Sequence, residues 1–438
     1  MNYSEALAYL ESLGTFGIQL GLKRIEALLA EMGNPERRFR SIHVTGTNGK
    51  GSTTAMLAAI LHAAGIRTGM YISPHLVDYP ERMTLDEQEI SRDEFAAMIG
   101  KTRLAAEAIQ ARGMESPTEF EVLTAAAFLW FAEKQVGAAV VEVGLGGLLD
   151  STNVLLPEVS VITNVTLEHT DRCGGTVAEI AAHKAGIIKP GAPVVTGATG
   201  EALAVIEAAA ARYQVPCSVL DRDFFVTEVQ SSETGQSFVF SSPKSVEQRY
   251  RMTLIGRHQA DNAALAIRAC QYLAGKEPRL TAAAIQSGVA KARWPGRFEI
   301  FPGAPTVILD GAHNPDGVGT LRQTLDAVFP LRPLVFLFGV LADKDHATMT
   351  RRLFHPRDRA VVVMPNSDRA AKAADIAEEI SGHVAAVTTA DSIAEGLQQA
   401  KLWAGPQGVV CAAGSLYMIG EVRKLLLPQL GQQNSPAY

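Results

Sequence analysis

Cysteine is scarce and scattered in this chain. Cys173, Cys217, Cys270 and Cys411 form no C-x-x-C pair and no metal-ligand spacing, which excludes a disulfide framework or zinc ribbon and fits a reducing compartment. They read as structural or incidental. Long apolar runs are also lacking, and the N-terminal Met-Asn-Tyr-Ser-Glu is no basic n-region, so neither a membrane span nor a secretory leader is expected and the compartment expected is the cytoplasm. There is no large charge excess: a formal net charge of -6 leaves no overall basic footprint for nucleic acid or a membrane surface. Aromatics make up only 6% of residues, and there is no internal repeat, heptad array or low-complexity tract. What is there is ordinary globular composition, 47% apolar and 20% charged. At 438 residues the chain exceeds what one core usually serves, so two domains, at most three, are expected.

Ser41 to Thr45 is a short β-rich run that breaks into glycines, followed by alanine- and leucine-rich helical sequence from Thr54 to Ala64. A helical stretch from Thr118 to Gln135 feeds a strand at Ala138 to Val143, and another strand follows at Val159 to Val165. This alternation predicts α/β architecture with a parallel, doubly wound sheet. Phe224 to Val229, Gln236 to Phe240 and Arg249 to Leu254 read as a small antiparallel excursion, and helix resumes at Gln259 to Leu273. Trp294-Pro295-Gly296-Arg297 then punctuates the chain. Beyond it the alternation restarts, with strands near Val307 to Leu309, Leu334 to Val340, Ala360 to Val363, Ala385 to Thr388 and Val409 to Ala412. The expected division is a phosphate-loop domain over 1–294 and a smaller Rossmann-like α/β domain over 295–438, ending in a polar tail from Gly431 to Tyr438.

Thr45-Gly46-Thr47-Asn48-Gly49-Lys50-Gly51-Ser52-Thr53 lies where strand gives way to helix. Glycines let backbone amides wrap a triphosphate, the helix N-terminus adds positive partial charge, Lys50 neutralises the outer oxygens, and Ser52 or Thr53 can face a metal. The match to G-x-x-x-x-G-K-[ST] is imperfect: Val44 occupies the first glycine's place, and Gly51 separates Lys50 from Ser52. The alternative is a glycine-rich turn feeding a helix.

That string resembles the folylpolyglutamate synthase and dihydrofolate synthase family of the Mur ligase superfamily, over nearly the whole chain. The further matches are Ser73-Pro74-His75-Leu76, Glu81-Arg82, Thr118 to Glu121, Glu142 to Gly147, His183 to Ile187, His258-Gln259 with Asn262, Pro295 to Arg297 and Asp310 to Pro315. The resemblance implies an ATP- and magnesium-dependent ligase that phosphorylates the γ-carboxylate of a tetrahydrofolate (poly)glutamate, after which the amine of L-glutamate attacks the acyl phosphate. Dihydropteroate is a second acceptor in some members. It implies nucleotide contacts from Thr47, Asn48, Gly49, Lys50, Gly51, Ser52, Thr53, Asn262, Arg297, Asp310 and His313, with ATP between the domains and their closure excluding water. One metal falls to Ser73 and Glu142 and a second to His169 and Lys184, the lysine carbamylated on its ε-nitrogen; Lys50, Glu142, His169 and Lys184 form the implied catalytic set. Folate contacts fall to Thr118, Phe120 and Asp150, and the incoming glutamate to Ser415.

Each residue has a plainer reading. Glu142 could sit on the surface beyond its strand, His169 could be structural, Lys184 could serve the C-terminal end of a helix, Phe120 could be core, Asp310 a turn residue and Ser415 a helix cap. The chain departs from many relatives at Leu148, where they have arginine, and at Ser151, where they have alanine, which bears on the pterin accepted and tilts the reading toward polyglutamylation. A cell-wall Mur ligase is discounted because only about 45 residues precede the phosphate loop. A nucleotide switch that hydrolyses slowly has no need for Glu142, His169, Lys184 and the Asp310 to Pro315 loop together. The enzyme is expected to act as a monomer.

Overall fold

The computed structural model describes residues 1–14, 19–242 and 245–433. It divides into two units, one comprising 1–229, 237–252 and 259–292 and the other 230–236, 253–258 and 293–438. The long final segment thus begins at Arg293, just ahead of the Trp294 to Arg297 punctuation. Two short pieces from the middle of the chain also join the second unit. Their ties explain this: Gln236 exchanges two hydrogen bonds with the backbone of Gly256, each 3.0 Å, and Arg332 pairs with Glu233 at 3.2 Å.

Eight strands form the main sheet of the first unit. These are β1 (Arg40–Thr45), β2 (Thr68–Tyr71), β3 (Met83–Leu85), β4 (Gln88–Glu89), β5 (Ala138–Glu142), β6 (Val159–Ile162), β7 (Val194–Thr196) and β8 (Cys217–Val219), in the order β4-β3-β2-β5-β1-β6-β7-β8. From β2 to β8 neighbouring strands are parallel, while β3 and β4 are an antiparallel edge. The inner strands are covered on both faces, which is why they read as continuous apolar runs. β6 stops at Ile162: Thr163 still donates to Thr45 O, but Asn164 turns away to serve the phosphate loop.

The helices of this unit are α1 (Tyr3–Gly14), α2 (Lys23–Glu31), α3 (Lys50–Ala63), α4 (Arg92–Ala111), α5 (Glu119–Glu133), α6 (Thr170–Cys173), α7 (Val177–Ala185), α8 (Gly200–Arg212), α9 (Arg257–Ala274), whose first two residues belong to the second unit, and α10 (Ala282–Lys291). Helices α1, α2, α4 and α5 share one core around Leu10, Leu28, Phe95, Phe128 and Phe131, and α7 and α8 build another around Ile162, Ala181, Ile187 and Ile206. α3 is buried from Ser52 to Leu61, and α10 packs on it at Gly288, where a Cβ would lie 2.3 Å from Ile60 Cα. A three-stranded sheet of β9 (Phe225–Ser232), β10 (Gly235–Ser242) and β11 (Ser245–Met252), in the order β11-β10-β9, accounts for the mid-chain change of texture.

The second unit holds β12 (Glu299–Phe301), β13 (Thr306–Leu309), β14 (Leu334–Phe338), β15 (Arg359–Val362), β16 (Ala386–Thr389) and β17 (Val409–Ala413), in the order β12-β13-β17-β14-β15-β16 and parallel apart from β12. With α11 (Pro315–Val328), α12 (His346–Leu353), α13 (Ala373–Ile380), α14 (Ile393–Ala404) and α15 (Leu416–Gln433), these strands enclose a core around Phe329, Phe336, Phe338 and Leu353. The expected polar tail is helical as far as Gln433, and 434–438 lie outside the described residues. No described helix is long and apolar enough to cross a membrane.

Candidate active site

Between β1 and α3, Gly46 (φ 152°) and Gly49 (φ 84°) adopt angles that L side chains avoid. There is no room for a side chain at either: a Cβ would lie 1.8 Å from Thr163 Oγ1 at Gly46 and 2.4 Å from Asn262 Oδ1 at Gly49. Thr47 N donates to Asn164 O and Asn48 N to Asn164 Oδ1, both at 2.9 Å, and Thr163 Oγ1 donates to Asn48 O at 2.6 Å. The amides of Thr47 and Asn48 are therefore spent on Asn164, which leaves the free amides of α3's first turn as the donors able to meet an anion. Lys50 Nζ folds over the loop onto Gly46 O (3.1 Å) and Thr47 O (3.0 Å). Ser52 and Thr53 are buried, and Thr53 Oγ1 has no hydrogen-bond partner.

Glu142 is the last residue of β5 and is buried, not perched on the surface; Ser73 N lies 3.4 Å from its Oε2. The loop after Ser73 is held by Glu81, whose carboxylate accepts from the amides of Leu76 (2.8 Å), Val77 (2.7 Å) and Asp78 (2.7 Å). A buried carboxylate, a nearby serine and an orphaned threonine hydroxyl are hard oxygen donors, the set magnesium takes when water and phosphate complete its shell.

Lys184 lies in the last turn of α7, yet its amine reaches across to Gly46 O at 2.8 Å. Burial, with the neighbouring Lys50 charge adding to it, pushes its pKa down to about 7. The two lysine amines thus meet on one carbonyl. His169 sits at φ 51° ahead of α6, half exposed, with Glu168 at 4.0 Å. The chain from Gly144 to Asp150 links these parts: Thr45 Oγ1 donates to Gly146 O at 2.6 Å, and Leu148 N donates to His183 O at 2.7 Å.

Thr118 caps α5 in a reciprocal box with Glu121, a buried carboxylate that also accepts from Arg24 Nε at 3.1 Å. Phe120 stacks on Tyr71, ring centroids 6.2 Å apart, and leaves no room for a side chain at Gly144, whose Cβ would lie 2.5 Å from the ring. Asp150 is buried with its carboxylate turned inward, accepting from Leu145 N (2.8 Å), Thr152 N (3.0 Å) and Thr152 Oγ1. Leu148 is exposed and Ser151 buried.

In the first unit Asn262 is buried, with Nδ2 donating to Gln259 Oε1 at 3.2 Å. In the second, Asp310 accepts from Phe298 N and Ala312 N, both at 2.8 Å, and burial raises its pKa against the pull of Arg297. Arg297 packs across Gly311, where a Cβ would lie 1.9 Å from Nη1, and His313 Nδ1 bonds Gly311 O at 2.8 Å. Ser415 precedes α15 with its hydroxyl buried and unpartnered, so it is not acting as a cap.

Thr163 and Asn164, which brace the phosphate loop, and His43, which lies beneath the site, were not legible in the sequence. The available signal was position: Thr163 and Asn164 follow the carboxyl end of a strand beside β1, where α/β sheets gather ligand-facing residues.

Residues 44–270 match the Mur ligase middle domain and 296–416 the Mur ligase glutamate ligase domain. The chain is 37% identical over 430 residues to a dihydrofolate synthase/folylpolyglutamate synthase of Bacillus subtilis, covering 97% of this chain and 99% of that one. It is 38% identical over 431 residues to a folylpolyglutamate synthase of Lacticaseibacillus casei, with 98% and 99% covered. Among solved structures, Mycobacterium tuberculosis folylpolyglutamate synthase complexed with ADP and AMPPCP superposes with a TM-score of 0.88 at 33% identity, covering 97% of this chain and 99% of that one. On whole-chain similarity at these identities, together with both domain matches, the chain belongs to the folylpolyglutamate synthase and dihydrofolate synthase family of Mur ligases.

Proposed function

We propose that this ATP-dependent ligase adds L-glutamate to the γ-carboxylate of tetrahydrofolate (poly)glutamates, with dihydropteroate as a secondary acceptor, working as a monomer in the cytoplasm. The observation that carries the reading is the convergence of Lys50 and Lys184 on the carbonyl of Gly46, just past Val44, the register partner of the buried Glu142 on the neighbouring strand. A carboxylate resists an amine because its charge repels the nucleophile and its oxygen leaves poorly, and transfer of the γ-phosphoryl of ATP onto it removes both obstacles. Lys50 is placed to neutralise charge on that phosphoryl group while α3's first turn holds it in line. The amine of glutamate then displaces phosphate and forms the amide.

Magnesium, when bound, supplies further neutralisation of the phosphoryl oxygens. Ser73 and Glu142 would hold one ion beside the triphosphate. His169 and Lys184 would serve a second, once carbamylation has turned the lysine from a donor into an oxygen ligand. A buried amine with pKa about 7 is substantially neutral near pH 7, the form that attacks carbon dioxide. Thr118 and Phe120 are assigned to the pterin side, and Asp150 enters as the residue shaping the loop at that side. Asn262, Arg297, Asp310 and His313 are assigned to the nucleotide and Ser415 to the incoming glutamate.

The test is phosphate release from ATP and magnesium with tetrahydrofolate and glutamate supplied separately and together. Release only with both supports the ligase; release indifferent to them overturns it. Turnover of dihydropteroate comparable to that of tetrahydrofolate would reverse the stated preference.

A further inference from the structure

Beneath the candidate site, His43 lies fully buried in the central strand β1 with its Nε2 2.8 Å from Thr152 Oγ1. The Thr152 hydroxyl donates its proton to Asp150 Oδ1, so the oxygen facing His43 is an acceptor and Nε2 carries a hydrogen. Nδ1 is then the lone-pair nitrogen, and it has no partner. Burial pushes the imidazole pKa down to about 3, which keeps it neutral, and the contact with the Thr152 oxygen selects this tautomer. Asp150 in turn accepts from Leu145 N, at the start of the segment whose Gly146 carbonyl meets Thr45 and whose Leu148 amide meets the end of the Lys184 helix.

We propose that His43 is a positioning residue for the ligase reaction, whose Nε2–H, through Thr152 and Asp150, sets the segment 144–150 and so the placement of Glu142 and Lys184 against the phosphate loop. His43 is buried in the central strand and acts through two further side chains, Thr152 and Asp150, ending on the Leu145 amide. Without the His43 donor, the Thr152 hydroxyl is free to rotate, Asp150 loses the constraint on its shortest hydrogen bond, and the segment it clamps loses its fixed register. Such a loss falls on the chemical step and not on ATP affinity, because the phosphate loop itself is braced separately by Thr163 and Asn164.

The proposal rests on the ligase reading, and the test separates the two. Wild-type protein with ATP, magnesium, tetrahydrofolate and glutamate is the control; no turnover there removes the ligase reading itself. Given turnover, His43→Gln, which can place an N–H where Nε2 stands, is expected to hold kcat within about threefold of wild type, and His43→Leu to lower it about tenfold or more with KM for ATP within about twofold. Wild-type kcat in His43→Leu, or equal losses in the Gln and Leu variants, would overturn the proposal. Should His43→Leu fail to fold, Thr152→Val against Thr152→Ser reads the same link from its other end: loss in the valine variant with retention in the serine variant supports it, and equal rates in both overturn it.

Discussion

Gly46→Ala is the most informative single change in the phosphate loop. The new methyl group would stand 1.8 Å from Thr163 Oγ1 and 3.2 Å from the amide of Asn164, on a backbone at φ 152°. The backbone conformation alone costs about 1–3 kcal/mol for a residue with a Cβ. Moving the Thr163 hydroxyl forfeits the one proton it donates, to Asn48 O at 2.6 Å, about 1 kcal/mol more, for a total of about 2–4 kcal/mol. The fold can shed part of that only by shifting the loop, and Gly46 O is where both Lys50 and Lys184 anchor. A displacement of about 1 Å there is expected to lower kcat/KM about 100-fold. Steady-state phosphate release measures the rate, and calorimetric titration with a nonhydrolysable ATP analogue measures the affinity. Gly46→Ala with Thr163→Gly removes the clashing atoms but keeps the strained backbone, so it should recover only part of the loss. Turnover within twofold of wild type in the single variant would refute the reasoning.

Lys184→Ala should abolish most turnover, with partial recovery on adding a small carboxylate that fills the vacated space; wild-type rate in the unsupplemented variant contradicts the assigned role. Gly288→Ala should destabilise the first unit by about 1–3 kcal/mol in urea unfolding, because the methyl would stand 2.3 Å from Ile60 Cα and 2.6 Å from its nitrogen, backbone atoms of α3 that cannot swing aside. Stability should fall as pH drops from about 6.5 toward 3: His43 keeps a lower pKa folded than unfolded, so the unfolded chain binds the extra proton first, at a cost of roughly 4 kcal/mol by pH 3. His43→Gln should flatten that part of the profile, and an unchanged acid limb in urea titrations would exclude His43 as a cause.

Local chemistry was legible and long-range chemistry was not. Thr45 to Thr53 announces a phosphate loop because strand, glycines, lysine and helix are contiguous, and Thr118 to Glu121 announces its cap for the same reason. Asn164 contributes both its side chain and its carbonyl to that loop from 116 residues away, a pairing that exists only once β6 lies beside β1. The antiparallel edge of β3 and β4 carries too few residues to show a period. Pieces 230–236 and 253–258 fold with the second unit through Gln236 and Glu233, polar residues whose partners sequence does not name. Glu142 and Lys184 could be singled out, but their burial, which makes a carboxylate and an amine chemically distinctive, is a property of the packed sheet.

Asn164 has one more consequence. By clasping Thr47 and Asn48, it fixes the main chain between β1 and α3 from within the fold, so a triphosphate bound there as proposed would spend little of its binding free energy on ordering that main chain. That surplus stays available for distinguishing the transferring phosphoryl group from the ground state, where it accelerates turnover instead of merely tightening the grip.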